Sequence, residues 1–193
     1  METLSPSEST DSQENGGPPR PSRPGGISVL AVLHIVGGVA ILVMSLVLYS
    51  ELGEDGGFMS GLGISPALLL VSVLFLAGLA LGSGVGMWKG TSWGWWLASF
   101  YYIYGVFRNV GALLNIWALA PELEGTDRDI EFYFVKHGLR AVVHLLIFLY
   151  FFKDNVLDYF EKQGISKRKE MLVMIGLCVA LTVLGSILSL SSE

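Results

Sequence analysis

Five long apolar runs follow one another along the chain from residue 26 onward, and short polar segments separate them. Each run is about as long as the ~20 residues that a helix needs to cross ~30 Å of hydrocarbon. A chain of 193 residues is too small to bury five such runs in a soluble core. The pattern therefore predicts an all-α transmembrane bundle of five spanning helices, over about residues 27–50, 66–87, 93–119, 127–152 and 169–190.

The segment before the first run has a different composition. Residues 1–25 are rich in Ser, Pro, Gly and Glu and contain almost no large apolar side chains. Because such a segment cannot offset its chain entropy by burial, we expect a disordered tail, followed by a membrane domain over residues 26–193. The tail is long and acidic, and the next run is too long for a signal peptide, so we expect the first helix to remain attached.

A short connection at residues 88–92 predicts a tight turn between two antiparallel helices at the membrane surface. Tryptophans suit the headgroup level, where the ring is half buried and its N–H stays hydrated. Four of them surround the turn: Trp88, Trp93, Trp95 and Trp96. Lys89 can extend from the turn into water.

Basic residues are distributed unevenly between the two ends of the predicted helices. One set lies in the tail, the turn and residues 153–170: Arg20, Arg23, Lys89, Lys153, Lys162, Lys167, Arg168 and Lys169. The opposite set contains Arg128 and Lys136, with Arg140 deeper. Because lysine and arginine are enriched on the cytoplasmic side, we expect the N-terminus inside and the C-terminus outside.

The basic segment itself suggests a contact with the membrane surface. Lys167, Arg168 and Lys169 can attract anionic lipid, each contributing about 1 kcal/mol. Residues 153–163 mix charges with apolar side chains, which predicts a short helix lying on that surface.

Composition and motifs exclude several classes of protein. Only 15% of the residues are charged, against about 25% in soluble domains. The single cysteine, Cys178, allows no disulfide within the chain, and no nucleic-acid-binding face is present. The sequence contains no P-loop, no Ser-His-Asp set and no paired-carboxylate site. We therefore expect a non-enzymatic protein without a cofactor or a nucleic-acid partner.

A charged residue, Arg108, interrupts the third predicted span. Spacings of three and four residues place Tyr101, Tyr104, Gly111 and Asn115 on the same helix face. An unpaired charge at that depth is costly, and it indicates a functional site by default.

The fourth predicted helix adds three polar side chains on one face, His137, Arg140 and His144. Arg140 and His144 are expected at a depth similar to that of Arg108. No Asp or Glu lies inside a predicted span, so the candidate anions are Glu51, Glu54, an acid of residues 120–131, or an external phosphate or carboxylate. A metal site with His34 is not expected, because His137 and His144 are two turns apart and no carboxylate or thiolate completes a set.

Three hypotheses follow for this cluster. In the first, Arg108 pairs with a loop acid and fixes the bundle, helped by Tyr101 and Asn115. In the second, a ligand-binding cluster of Arg108, Arg140, His144, Tyr104, Tyr101 and Asn115 binds an anionic headgroup or a small anion. In the third, the cluster lines a transport path. The broader alternatives are a structural or interaction protein, which presents its tail and residues 153–170 to partners, and an anion-binding protein or carrier.

Gly78, Gly82 and Gly86 recur every four residues in the second predicted helix. This double GxxxG pattern favours close helix packing, although glycine is also generally common in spanning helices. We expect the packing within the chain, with a homo-oligomer through this helix as the alternative.

Three short blocks carry a resemblance to a group of known proteins. Residues 23–32 are RPGGISVLAV, residues 86–97 are GMWKGTSWGWWL, and residues 150–160 are YFFKDNVLDYF. They resemble small uncharacterised bacterial polytopic membrane proteins with an RPxGVTxLAIL start, a GLW...WxWW turn and a YLLrPeVkayF-like segment. The chain differs in having Asp154 where that group has proline, and in its fifth predicted helix. The resemblance implies a bacterial inner-membrane location and no assigned activity.

Overall fold

A computed structural model of the chain describes residues 21–52, 66–123 and 130–190. These ranges contain helices and short connections and no β-strand, which confirms the all-α prediction. The helices are α1 Gly25–Leu52, α2 Pro66–Lys89, α3 Ser92–Leu123, α4 Ile130–Tyr150, α5 Asp154–Tyr159 and α6 Lys167–Leu190. The predicted disordered tail lies almost entirely outside the described residues.

Three of these helices are long and apolar enough to cross a membrane: Gly25–Val47, Leu70–Lys89 and Ile130–Tyr150. Their outward faces carry large apolar side chains, such as Met44 at 67% exposure and Val135 at 69%. Apolar surface on this scale is unstable in water but favourable in lipid. The chain therefore has the character of a multi-pass membrane protein.

Helix α3 holds the central position. It packs against α2 on one side and α4 on another, and it contacts α6 as well, while α1 packs along α2. Helices α2, α4 and α6 therefore contact α3 directly, and α1 lies along α2.

The core lies at one end of the bundle, where α1 begins, α2 ends, α3 begins and α4 ends. We call this the basic end, because Arg23, Lys89, Lys153, Lys162 and Lys167 lie there; the opposite end is the far end. The buried cluster contains side chains from all six helices and from the connections after α4 and α5: Ile27, Ala31, Met87, Trp95, Ala98, Tyr102, Ile103, Phe148, Phe151, Phe152, Val156, Leu157, Phe160, Met174 and Cys178.

Two expectations for this end were wrong. Trp95 is fully buried, and its Nε1 donates to the Phe151 carbonyl at 2.9 Å, so it is not a half-hydrated interfacial ring. The short helix α5 does not lie on the surface as a separate element, because Val156 and Leu157 are buried in the core. Both differences have one cause: the chain turns after Tyr150 and folds back beneath the α2–α3 connection.

The α2–α3 connection is tight because two glycines face each other. A Cβ at Gly86 would collide with the backbone of Gly94, and a Cβ at Gly94 would collide with that of Gly86. Thr91 Oγ1 accepts from the Gly94 amide at 3.3 Å and so caps the start of α3. Of the other predicted packing glycines, a Cβ added at Gly82 would lie 3.2 Å from Leu97 Cδ1, whereas a Cβ at Gly78 would meet nothing within 4 Å.

We predict that Gly86→Leu lowers the free energy of unfolding by about 1–3 kcal/mol, because the added side chain forces the two backbones apart. The matched control is Gly78→Leu, which adds the same side chain to the same helix in open space and should be neutral or slightly stabilising. Tryptophan fluorescence during unfolding in detergent measures both. Equal stability of the two variants would contradict the close α2–α3 approach.

Candidate functional site

His34 of α1 forms hydrogen bonds with both of its ring nitrogens inside the bundle. Nδ1 lies 2.6 Å from Ser83 Oγ of α2, and Nε2 lies 2.8 Å from the Tyr102 hydroxyl of α3. The Ser83 hydroxyl donates to the Ala80 carbonyl at 3.0 Å, so it accepts the bond from His34. The imidazole proton therefore lies on Nδ1, and the Tyr102 hydroxyl donates to Nε2.

This arrangement, the His34 centre, ties three helices together. His34 lies about 14 Å along α1 from Gly25, well inside the apolar part of the helix. The Tyr101 ring meets the imidazole edge-on, with ring centroids 4.5 Å apart. Because an unpaired polar group is costly in hydrocarbon, the partners on α2 and α3 fix both the depth and the rotation of α1.

The other two histidines set the register between α3 and α4. His144 packs directly over Gly105, where no Cβ could fit, and its Nδ1 donates to the Arg140 carbonyl at 2.6 Å. One α3 turn further on, His137 Nδ1 lies 3.0 Å from Asn109 Oδ1, while Asn109 Nδ2 donates to the Gly105 carbonyl at 2.8 Å. The pairs 105/144 and 109/137 place Arg140 at about the level of residue 108.

Arg108 lies on a different face of α3, in a groove of about 380 Å³ between α3 and α6. The groove also contains Tyr104 and Asn115 from α3 and Thr182 from α6. Arg108 is exposed and has no hydrogen bond or ion pair within the described residues. Within the described ranges an ion pair forms at the basic end, where Lys167 Nζ lies 2.6 Å from Asp154 Oδ1.

The groove exists because α6 leaves α3 after its first half. Met174 and Cys178 are fully buried against the core, whereas Leu184 and Ile187 are more than half exposed. A Cβ at Gly185 in the groove would meet nothing within 4 Å. The space between the two helices is therefore open toward the far end.

The predicted cluster of six residues is divided among three places. Tyr104, Arg108 and Asn115 line the groove. Tyr101 and His144 belong to the ring contacts around the His34 centre, with centroids 6.5 Å apart, and Arg140 is exposed on α4 outside the groove lining. The cluster therefore does not form one site.

Most of the acids proposed as partners of Arg108 are not described by the structure: Glu54 and residues 124–129 lie outside the described ranges, and the side chains of Glu51 and Glu122 are not described within them. Glu131 is described; it is exposed in the first turn of α4 and forms no ion pair with Arg108. Among the residues that are described, no three His, Cys, Asp or Glu side chains converge as a metal site would require.

Sequence reasoning missed the His34 centre. The polar residues His34 and Ser83, each within an apolar run, were the available signal. Helical periodicity gives the face of each residue but not its partner on another helix, so the pairing could not be inferred.

We predict that His34→Leu and Tyr102→Phe each destabilise the protein by about 1–2 kcal/mol, because each leaves a buried polar partner unsatisfied. The double variant should lose less than the sum of the two, with a coupling energy of about 0.5–2 kcal/mol. Reversible unfolding in mixed micelles measures the cycle. As a control, Tyr104→Phe removes a hydroxyl outside the His34 centre and should show no coupling to His34→Leu. Additive effects of His34→Leu and Tyr102→Phe would contradict the hydrogen bond.

The chain matches no protein-family model, no curated protein and no solved structure.

Proposed function

We propose that this chain is a five-span, non-enzymatic membrane protein that binds an anionic group at Arg108, in the groove between α3 and α6. Besides the three apolar helices described above, α3 and α6 are the two further helices that we propose cross the membrane. Helix α3 packs between α2 and α4, and α6 packs on α3. Neighbouring helices of such lengths share one bilayer most simply by crossing it together, and this supports five spans.

The orientation proposed is N-terminus inside and C-terminus outside, in a bacterial inner membrane. It is supported by the gathering of basic residues from separate chain segments at one end of the bundle, Arg23, Lys89, Lys153, Lys162 and Lys167. Such enrichment is typical of cytoplasmic ends.

The observation that carries the anion proposal is that the Arg108 guanidinium has no partner among the described residues. Near the centre of a helix in hydrocarbon, an arginine costs about 2.5–3.5 kcal/mol on insertion scales. Its planar fork of donors matches a phosphate or carboxylate in a bidentate arrangement. The Asn115 amide and the Tyr104 hydroxyl, which line the same groove, can supply further hydrogen bonds to an anion.

We predict that Arg108→Leu weakens the binding of inorganic phosphate by about tenfold or more, because a charge-assisted hydrogen bond is lost. Isothermal titration calorimetry of the full chain in neutral detergent measures the affinity. The matched control is Arg140→Leu, which removes the same side chain at a similar depth outside the groove and should bind as the unmodified chain does. Equal affinities for Arg108→Leu and the unmodified chain would refute the anion site.

A second candidate, an interaction protein, is favoured by the contacts of Arg23. Its Nε donates to the Tyr159 hydroxyl at 3.0 Å, its Nη2 donates to the Trp88 carbonyl at 2.7 Å, and its guanidinium lies 4.3 Å from the Trp88 ring centre. These contacts hold the start of the membrane domain against the α2–α3 turn and α5. The N-terminal tail and residues 153–170 would thus be offered to partners, or to anionic lipid, on one surface.

We predict that cysteines at Gln163 and Ser192 label from opposite sides of the membrane, since α6 separates them. In a Cys178→Ala background, Gln163→Cys should react with an impermeant maleimide only after the cells are opened, and Ser192→Cys in intact cells. Reaction of both sites in intact cells would contradict the five-span orientation.

A further inference from the structure

We infer that the anion at Arg108 is the phosphate of an anionic phospholipid from the leaflet at the far end, with one acyl chain lying between α3 and α6. This inference rests on the anion site proposed above. It assigns that site a ligand class, an amphiphile, that the charge of Arg108 alone would not specify.

The depth of Arg108 favours a ligand that arrives through the membrane. The residue lies about 24 Å along α3 from Ser92, and about 14 Å before Trp117, a residue that is 71% exposed and suits the far headgroup level. A soluble ion would have to cross apolar surroundings to reach this level. A lipid reaches it sideways, because the groove opens between two helices and its headgroup carries the charge with it.

The walls of the groove suit a hydrocarbon chain. Beside Arg108 they are formed by Phe107 and Ala112 from α3 and by Leu181 from α6. Toward the basic end the groove is closed, because Cys178 and Met174 are fully buried against the core. A chain entering from the far leaflet would thus contact apolar side chains and stop at the packed core.

The glycines in the groove keep space open and do not bring helices together. At Gly86 and Gly94 an added Cβ would strike the opposing backbone, as expected for close packing. At Gly111 and Gly185, which line the groove from its two sides, an added Cβ would meet nothing within 4 Å. Small residues at an open surface leave a volume that a ligand chain can fill.

The test distinguishes the space in the groove that would hold the acyl chain from the positive charge of Arg108 that would bind the phosphate. Gly185→Leu fills the groove from α6 and leaves Arg108 intact, whereas Arg108→Leu removes the charge and leaves the groove. The matched controls are Gly176→Leu, an exposed position on α6 outside the groove lining, and Arg140→Leu. Each full-length variant is reconstituted in nanodiscs of phosphatidylcholine and phosphatidylglycerol, then extracted and washed in detergent, and the retained phosphatidylglycerol is quantified by mass spectrometry.

We expect the unmodified chain and both controls to retain phosphatidylglycerol, and Arg108→Leu and Gly185→Leu to lose it by about tenfold or more. Inorganic phosphate binding should fall in Arg108→Leu and remain in Gly185→Leu. Retention of lipid by Gly185→Leu, or loss of lipid by Gly176→Leu as well, would overturn the lipid inference. So would an unmodified chain that binds inorganic phosphate but retains no lipid, although the anion site would then stand. If Arg108→Leu loses neither ligand, the anion site itself fails.

Discussion

The packing of the chain beneath the α2–α3 turn is the interaction on which the rest of the structure depends. Trp95 is fully buried there and donates to the Phe151 carbonyl, while Phe151, Val156 and Phe160 complete the cluster. The carbonyl that it engages belongs to the turn after α4, where regular helical hydrogen bonding ends. The Trp95 indole thus packs in the core and also donates a hydrogen bond to a backbone carbonyl at the point where the chain reverses direction.

Among the described residues, no core of comparable size forms away from this end. The large fully buried side chains lie near the basic end, whereas the far halves of α1, α4 and α6 present apolar side chains outward. Lipid gives such helices little hydrophobic reason to close on one another, so specific contacts must hold them. Histidine supplies those contacts: His34 joins α1 to α2 and α3, and His137 and His144 join α4 to α3. Helix α6 packs on the core through Met174 and Cys178, whereas Leu184 and Ile187 are more than half exposed, and the groove at Arg108 opens in this second half.

Helix α3 therefore carries two different kinds of polar residue. Tyr102 and Asn109 make hydrogen bonds to histidines of neighbouring helices and are buried. Arg108 is exposed, next to Asn109 in the sequence but on the groove side. A rotation of 100° per residue along the helix separates a structural polar face from a face available to a ligand.

The sequence by itself determined the helical class, the approximate helix bounds and the gathering of basic residues at one end, because each depends on local composition or on apolar run length. It also placed Tyr104, Arg108 and Asn115 on one face, since helical periodicity is a local property. The tertiary structure alone decided that His34 meets Ser83 and Tyr102, that Trp95 is buried, and that Arg140 and His144 lie apart from the groove. These outcomes depend on which helices are neighbours and where α6 leaves α3, and such contacts between distant parts of the chain have no periodic signal in the sequence.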